Sequence, residues 1–269
     1  MTPSGVAASI ASLSLALAGC AARTIERQAA PARPARSVSL EEALTAYDQY
    51  CEGLHSISAS GDLDVKDLRA GKQRTLGVRL LATRGDRLYL KGQVLVVTAL
   101  EVVSNGERFW FQVPSKKTVW TGPVSGMAPA AEGADQAPYY ALRPRDVTAA
   151  VLPEALRPGE ADALFLETEG NLACLSLARG GLLRRRACLE RETLRPARLR
   201  AYDERGELVS DVALSAWSEA GPRRVVISRP GQGYVADFRL DKLVANTPVP
   251  ERAFEPRPAL GYATVEVGQ

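Results

Sequence analysis

From Ile57 onward the chain alternates apolar and polar residues with a period of two, in short runs separated by turn residues. Ile57, Ala59, Gly61, Leu63 and Val65 alternate with Ser58, Ser60, Asp62 and Asp64. Successive side chains of a strand point to opposite faces, so this pattern gives one apolar and one wet face. Runs of the same kind follow at about 73–83, 86–92, 95–104, 107–113 and 117–121, broken by Gly71-Lys72, Gly85-Asp86, Asn105-Gly106 and Pro114-Ser115. Asn-Gly between two apolar runs is a strong hairpin signal. Short strands joined by tight turns pair antiparallel, which confines the chain to a meander sheet.

Residues 122–143 interrupt the pattern with Gly122, Pro123, Gly126, Pro129, Gly133 and Pro138, and are expected to form a loop. A short helix is expected over 144–156, with Val147, Val151, Leu152 and Leu156 on its apolar side and Pro153 bending or ending it. Strands resume at 164–169, 172–178, 182–191, 197–202, 208–217, 223–228 and 234–244. Beyond Asn246 the prolines 248, 250, 256 and 258 predict an extended or irregular tail. A sheet of roughly a dozen strands must curl, split or close. Helices laid against the concave side of a curled sheet would stabilise it. One such helix precedes the first strand: Ser39 and Glu42 form a capping-box pattern, and Leu40, Ala43, Leu44, Tyr47, Cys51 and Leu54 recur at helical spacing.

The segment before that helix has a different character. Every charged residue lies after Ala22. An uncharged apolar run, Val6 to Ala18, leads into Leu17-Ala18-Gly19-Cys20. Such a run reads as an export signal and is too short to cross a bilayer, which takes about 20 residues. The tetrapeptide resembles the lipobox of bacterial lipoproteins. That resemblance implies a signal peptide over 1–19 and a mature chain lipidated at Cys20 and held on a membrane by its first residue. Each buried acyl CH₂ contributes about 0.8 kcal/mol, so two or three chains anchor stably. Residues 20–36, with Pro31, Pro34 and alternating Ala and Arg, read as a flexible tether. A net charge of +3 with both signs interspersed argues against a nucleic-acid partner. The one dense basic run, Arg184-Arg185-Arg186, fits the solvated side of a strand or contact with anionic headgroups.

Cys51, Cys174 and Cys188 remain, and an odd number cannot all pair within one chain. Cys174 and Cys188 flank Gly180-Gly181. If Arg179 pairs with Leu182, Cys174 lies opposite residue 187 and the two cysteines face opposite ways. A one-residue bulge or a longer turn would bring them together as a disulfide. Both alternatives stand at this level. Cys51, on the apolar side of the first helix, reads as a buried thiol.

The order of elements resembles the bacterial lipoprotein-localisation proteins LolA and LolB, closest to a LolB-like group of lipoproteins. Val103-Ser104-Asn105-Gly106-Glu107-Arg108-Phe109-Trp110-Phe111, Trp120-Thr121-Gly122-Pro123, Glu192-Thr193-Leu194-Arg195-Pro196 and Tyr202-Asp203-Glu204-Arg205-Gly206-Glu207-Leu208-Val209 carry it. The resemblance covers about residues 40–258, so the domain is placed at 37–258 and a tail at 259–269. It implies a mainly β fold: an unclosed, strongly curved antiparallel β-barrel of about 11–13 strands, with two or three helices as a lid against the concave face. It also implies a hydrophobic cavity for acyl chains or a lipoprotein passenger. Candidates for its wall are Leu63, Val65, Val78, Leu80, Leu88 and Leu90, with Phe109, Phe111, Phe238 and Leu240. Packed core is the competing reading for each. The receptor relatives carry an exposed apolar loop, and Val94-Leu95-Val96-Val97 is the candidate here, against the alternative of an ordinary strand interior.

Chemistry is not signalled. The single histidine, His55, allows no His cluster, and neither a nucleophile elbow, a P-loop nor a dinucleotide fingerprint occurs. Catalytic residues, metal and cofactor are therefore expected to be none. The expectation is a monomeric, non-enzymatic protein of the cell envelope, lipid-anchored at the outer membrane and facing the periplasm. Ala21 after the lipidated cysteine favours that membrane by family analogy. It would bind acyl chains or lipoproteins in a LolB-like delivery role. The alternative is a structural lipoprotein that binds a protein partner through the curved sheet, with a filled core and an exposed patch or edge strand.

Overall fold

The computed structural model describes residues 36–125, 142–157, 159, 162–257 and 260–267. The segments expected to form the signal peptide, the lipidation site Cys20 and the tether (all but residue 36), and most of the expected 122–143 loop, lie outside the described residues. The chain divides into Met1–Pro34 and Ala35–Gln269, and the described elements all belong to the second unit.

Helix α1 (Leu40–Glu52) comes first. Six strands follow: β1 (Ser56–Asp67), β2 (Lys72–Thr83), β3 (Arg87–Val94), β4 (Val97–Asn105), β5 (Arg108–Val113) and β6 (Thr118–Pro123). After α2 (Pro144–Val151) come β7 (Ala163–Glu169), β8 (Leu172–Arg179), β9 (Leu182–Glu190), β10 (Pro196–Tyr202), β11 (Leu208–Ser218), β12 (Gly221–Arg229), β13 (Tyr234–Ala245) and β14 (Ala263–Glu266). All fourteen form one sheet in the order β14-β6-β5-β4-β3-β2-β1-β13-β12-β11-β10-β9-β8-β7. Two meanders thus meet where β1 pairs with β13, and the outermost strands, β14 and β7, leave the barrel unclosed. Every pairing is antiparallel except β14 with β6, which is parallel.

The fourteenth strand comes from the segment read as an irregular tail. Val267 N donates to Thr121 O at 2.8 Å, and Glu266 pairs with Arg108. Its four residues are too few to stand out as a periodic run. The second helix is also shorter than expected. It stops at Val151 because the residue before a proline is pushed out of the helical region; Leu152 has φ −130 and ψ 65.

The sheet is curled. Helix α2 touches both β12 and β4, which lie five strand spacings apart. On a flat sheet that is about 24 Å, whereas a helix with its side chains is about 10–12 Å across. The concave face holds the core. Val147, Ala150 and Val151 of α2 pack with β1–β5 and β11–β13, whereas Ala43, Tyr47 and Cys51 of α1 pack with Leu175, Leu177, Ala187 and Leu189 of β8 and β9. Ser39 Oγ accepts from Glu42 N at 3.1 Å and starts α1 as its sequence requires.

Two irregularities set the registers. Between Ser60 and Gly61 the pairing of β1 with β13 shifts, and a Cβ at Gly61 would overlap the Arg239 carbonyl oxygen. Between Leu177 and Ala178 the pairing of β8 with β9 shifts by one residue. Arg179 still faces Leu182, but Cys174 now faces Cys188, and a disulfide joins them. Of the two sequence alternatives, the bulge is the one realised.

Candidate functional site

A cavity of about 480 Å³ lies between the two meanders on the concave side. Its walls are the β2–β3 turn (Thr83–Asp86), α2, the segment Pro153–Leu156 that follows it, and β9 to β12. Tyr47, Leu152, Leu156, Leu199 and Val212 supply apolar surface.

None of the ten residues expected to line a cavity is in this wall. Leu63, Val65, Val78, Leu80, Leu88 and Leu90 of β1–β3, Phe109 and Phe111 of β5, and Phe238 and Leu240 of β13 are all buried in one packed cluster. They do share the concave face, as their alternation requires. But α2 lies against that part of the sheet and fills it, so the open volume is displaced toward β9–β11.

The wall is more charged than an acyl-chain pocket requires. Five arginines, Arg84, Arg143, Arg145, Arg185 and Arg229, face three carboxylates, Asp86, Asp146 and Glu154. Arg186 and Arg200 belong to the opposite face of the sheet, where they pair with Glu167, Glu169 and Asp211. Asp146, in the first turn of α2, accepts from Arg229 Nη1 at 2.9 Å and from the Tyr234 hydroxyl at 2.9 Å. Burial pushes the Asp146 carboxyl above the usual carboxylate range, and the Arg229 charge opposes that shift. Burial also raises the Tyr234 phenol, and Asp146 adds to the rise. Arg143 stands beside Arg229. Burial and then the neighbouring guanidinium lower its pKa. The Gln232 amide oxygen is placed to accept from Arg229 Nη2 at 3.2 Å and from Arg143 Nη2.

Arg84 ties both helices to the sheet through neutral partners. Its Nε donates to Leu54 O at 3.0 Å, its Nη1 to Pro153 O at 2.8 Å, and its Nη2 to Cys51 O. Arg185 reaches the same segment, donating to Ala155 O at 3.1 Å and Glu154 O at 2.6 Å. The helical cover is thus held by hydrogen bonds to backbone carbonyls at the rim.

At the tip of the β3–β4 hairpin is the second feature. Val94 pairs with Val97 and the turn between them is Leu95-Val96. Val94, Leu95, Val96 and Val97 are 49%, 94%, 89% and 67% exposed. Leu95 has φ +56, where Gly or Asn is the usual occupant. An exposed leucine held in a left-handed conformation is an expense with no folding benefit. The segment is therefore a projecting turn and not a strand interior. Leu68, also exposed, lies in the β1–β2 turn at the same end of the sheet.

Arg84, Arg143, Asp146, Arg229 and Tyr234 were not singled out by the sequence. They come from separate elements and share no spacing. The one signal was Pro144 followed by Asp146, a helix-start pattern. Among the described residues, one group of three potential metal ligands lies close together, Glu169 with Cys174 and Cys188, and its sulfurs are committed to the disulfide.

Comparison with known proteins shows the fold. No family model matches the chain, and no curated protein matches it. Among solved structures, an outer membrane lipoprotein-sorting protein domain from Vibrio parahaemolyticus is 13% identical. It covers 80% of this chain and 97% of its own, with a TM-score of 0.50. A LolA superfamily protein from Nitrosomonas europaea is 12% identical, covers 82% and 99%, and has a TM-score of 0.50. A DUF1329 family protein from Desulfovibrio piger is 14% identical, covers 81% and 98%, and has a TM-score of 0.51. The chain has the LolA-like fold, an open β-barrel with helices against its concave face.

Proposed function

We propose that this chain is a lipid-anchored, periplasm-facing protein that binds acyl chains or lipoproteins and delivers them to the outer membrane, a LolB-like role. The reading involves no catalytic step and no cofactor, and the protein acts as a monomer. Cys20 carries the anchor, residues 20–36 give the domain reach, and the cavity under α2 receives the cargo. The observation that carries the reading is the β3–β4 tip, whose Leu95 and Val96 are almost wholly exposed. Moving an exposed Leu or Val into an apolar medium contributes about 1.5–3 kcal/mol per side chain. A tip of this kind is unfavourable in water and favourable in a bilayer. The fold shared with a lipoprotein-sorting domain supports the same reading.

The test is transfer of an acylated, fluorescently labelled lipoprotein from a soluble donor to vesicles by the full-length chain and its Leu95→Glu variant. The variant is expected to bind the cargo as the parent does and to lose most of the transfer. Equal transfer by both would contradict the role of the tip.

A second reading, a scaffold that binds a protein partner, rests on the β7 edge. Among the described residues that strand pairs on one side only, and Phe165 on it is 40% exposed. An added strand from a partner would satisfy its free backbone groups.

A further inference from the structure

The cavity does not have the wall that acyl chains alone would select. Arg143 and Arg84 have no carboxylate within 4.0 Å among the described residues, although both line it. Arg84 meets only carbonyl oxygens. Arg143 and Arg229 both reach the Gln232 amide oxygen through Nη2, and among the described residues only Arg229 of the two is ion-paired, with Asp146. Two guanidiniums beside one carboxylate on a cavity wall match an anion with several acceptor oxygens.

We infer that this cavity recognises the phosphate headgroup of an anionic lipid, with Arg143 and Arg229 as its charge-bearing contacts and the Leu152–Leu156–Val212 surface taking the adjoining apolar part. The inference rests on the acyl-binding reading above and names its ligand class. A planar guanidinium suits a phosphate because it can present two parallel N–H groups to two oxygens, a role that falls to Arg143, while Arg229, held by Asp146, adds charge. The ligand neutralises the like-charge pair.

The experiment is calorimetric titration of the full-length chain with short-chain phosphatidylglycerol, with phosphatidylcholine of the same acyl length, and with glycerol phosphate. The expected result is a preference for phosphatidylglycerol over phosphatidylcholine of at least about tenfold, as one charged hydrogen bond supplies. Glycerol phosphate alone should bind far more weakly than the lipid. Arg143→Gln should abolish the preference while leaving phosphatidylcholine binding intact, which also shows that the variant is folded. Arg143→Lys should keep most of it. Equal binding of the two lipids would overturn headgroup recognition and leave acyl binding standing. Binding of neither lipid would overturn both readings. Glycerol phosphate binding as tightly as the lipid would show a site for a free anion and overturn the lipid assignment.

Discussion

Arg229 Nη1 donates to Asp146 Oδ1 at 2.9 Å and so fastens the end of β12 to the first turn of α2. Both side chains are about nine-tenths buried. The Tyr234 hydroxyl occupies the other carboxylate oxygen. One carboxylate of α2 thus holds the β12–β13 turn, more than 80 residues further along the chain, at the edge of the cavity.

Breaking this pair leaves a buried charge uncompensated, which costs about 3–5 kcal/mol. Asp146→Ala should destabilise the domain by that order in urea unfolding. The double variant with Arg229→Met should recover part of the loss, because no unpaired buried charge remains. A double variant less stable than Asp146→Ala would contradict the assignment.

Gly61 is required by close approach to the Arg239 carbonyl. Gly61→Ala forces β1 and β13 apart at the join between the two meanders and should cost about 1–3 kcal/mol. Gly77→Ala is the control: its Cβ would meet only Gln93 O at 3.9 Å, so thermal unfolding should be unchanged or slightly raised.

The join between meanders explains how much of this fold was legible. Alternation is a local property, so β1 through β13 could be read from single runs such as Tyr234, Ala236, Phe238 and Leu240. Asn105-Gly106 marked its turn for the same reason. The pairing of β1 with β13, and of β14 with β6, depends on residues far apart in the chain, and no local signal carries it. The cavity was misplaced because alternation tells which face a residue takes, not whether a helix fills the space above it. Leu63 and Phe238 face inward, as expected, and are buried in the cluster that Val147, Ala150 and Val151 of α2 complete. Val94-Leu95-Val96-Val97 could be read as a projecting loop or as a strand interior because neither Leu95 nor Val96 is a turn former; the pairing of Val94 with Val97 decides for the projecting turn.

The disulfide spans a sequence separation of 14. Closing a loop of that size in the unfolded chain is worth about 3 kcal/mol. Cys174→Ser with Cys188→Ser should lower stability by that order without changing cargo binding, since both residues lie outside the cavity wall. A variant pair that unfolds at the same denaturant concentration as the parent would contradict this.

Burial pushes the Cys51 thiol up from 9.0 to about 11. In the native protein it should resist iodoacetamide at pH 8 and react fully in denaturant, as peptide mapping would show. Its folded pKa lies above its unfolded one. The stabilisation from keeping it protonated is therefore complete below pH 9 and lost as pH rises through about 11. Cys51→Ala should flatten the stability profile across that window.

At the β3–β4 tip, stability and the proposed function should part. Leu95→Gly relieves a left-handed leucine and should raise folding stability by up to about 1 kcal/mol. It removes an apolar side chain that would enter the bilayer, so vesicle binding should fall. A variant that gains stability and binds vesicles as before would contradict the account of the tip.

Native mass spectrometry of the full-length chain after extraction into mild detergent tests the central claim most directly. An acyl lipid bound at near one-to-one, released by solvent extraction and restored by adding lipid, is the predicted result. A lipid-free mass that fails to take up added lipid would contradict acyl binding and leave the scaffold reading, with the β7 edge as its contact surface.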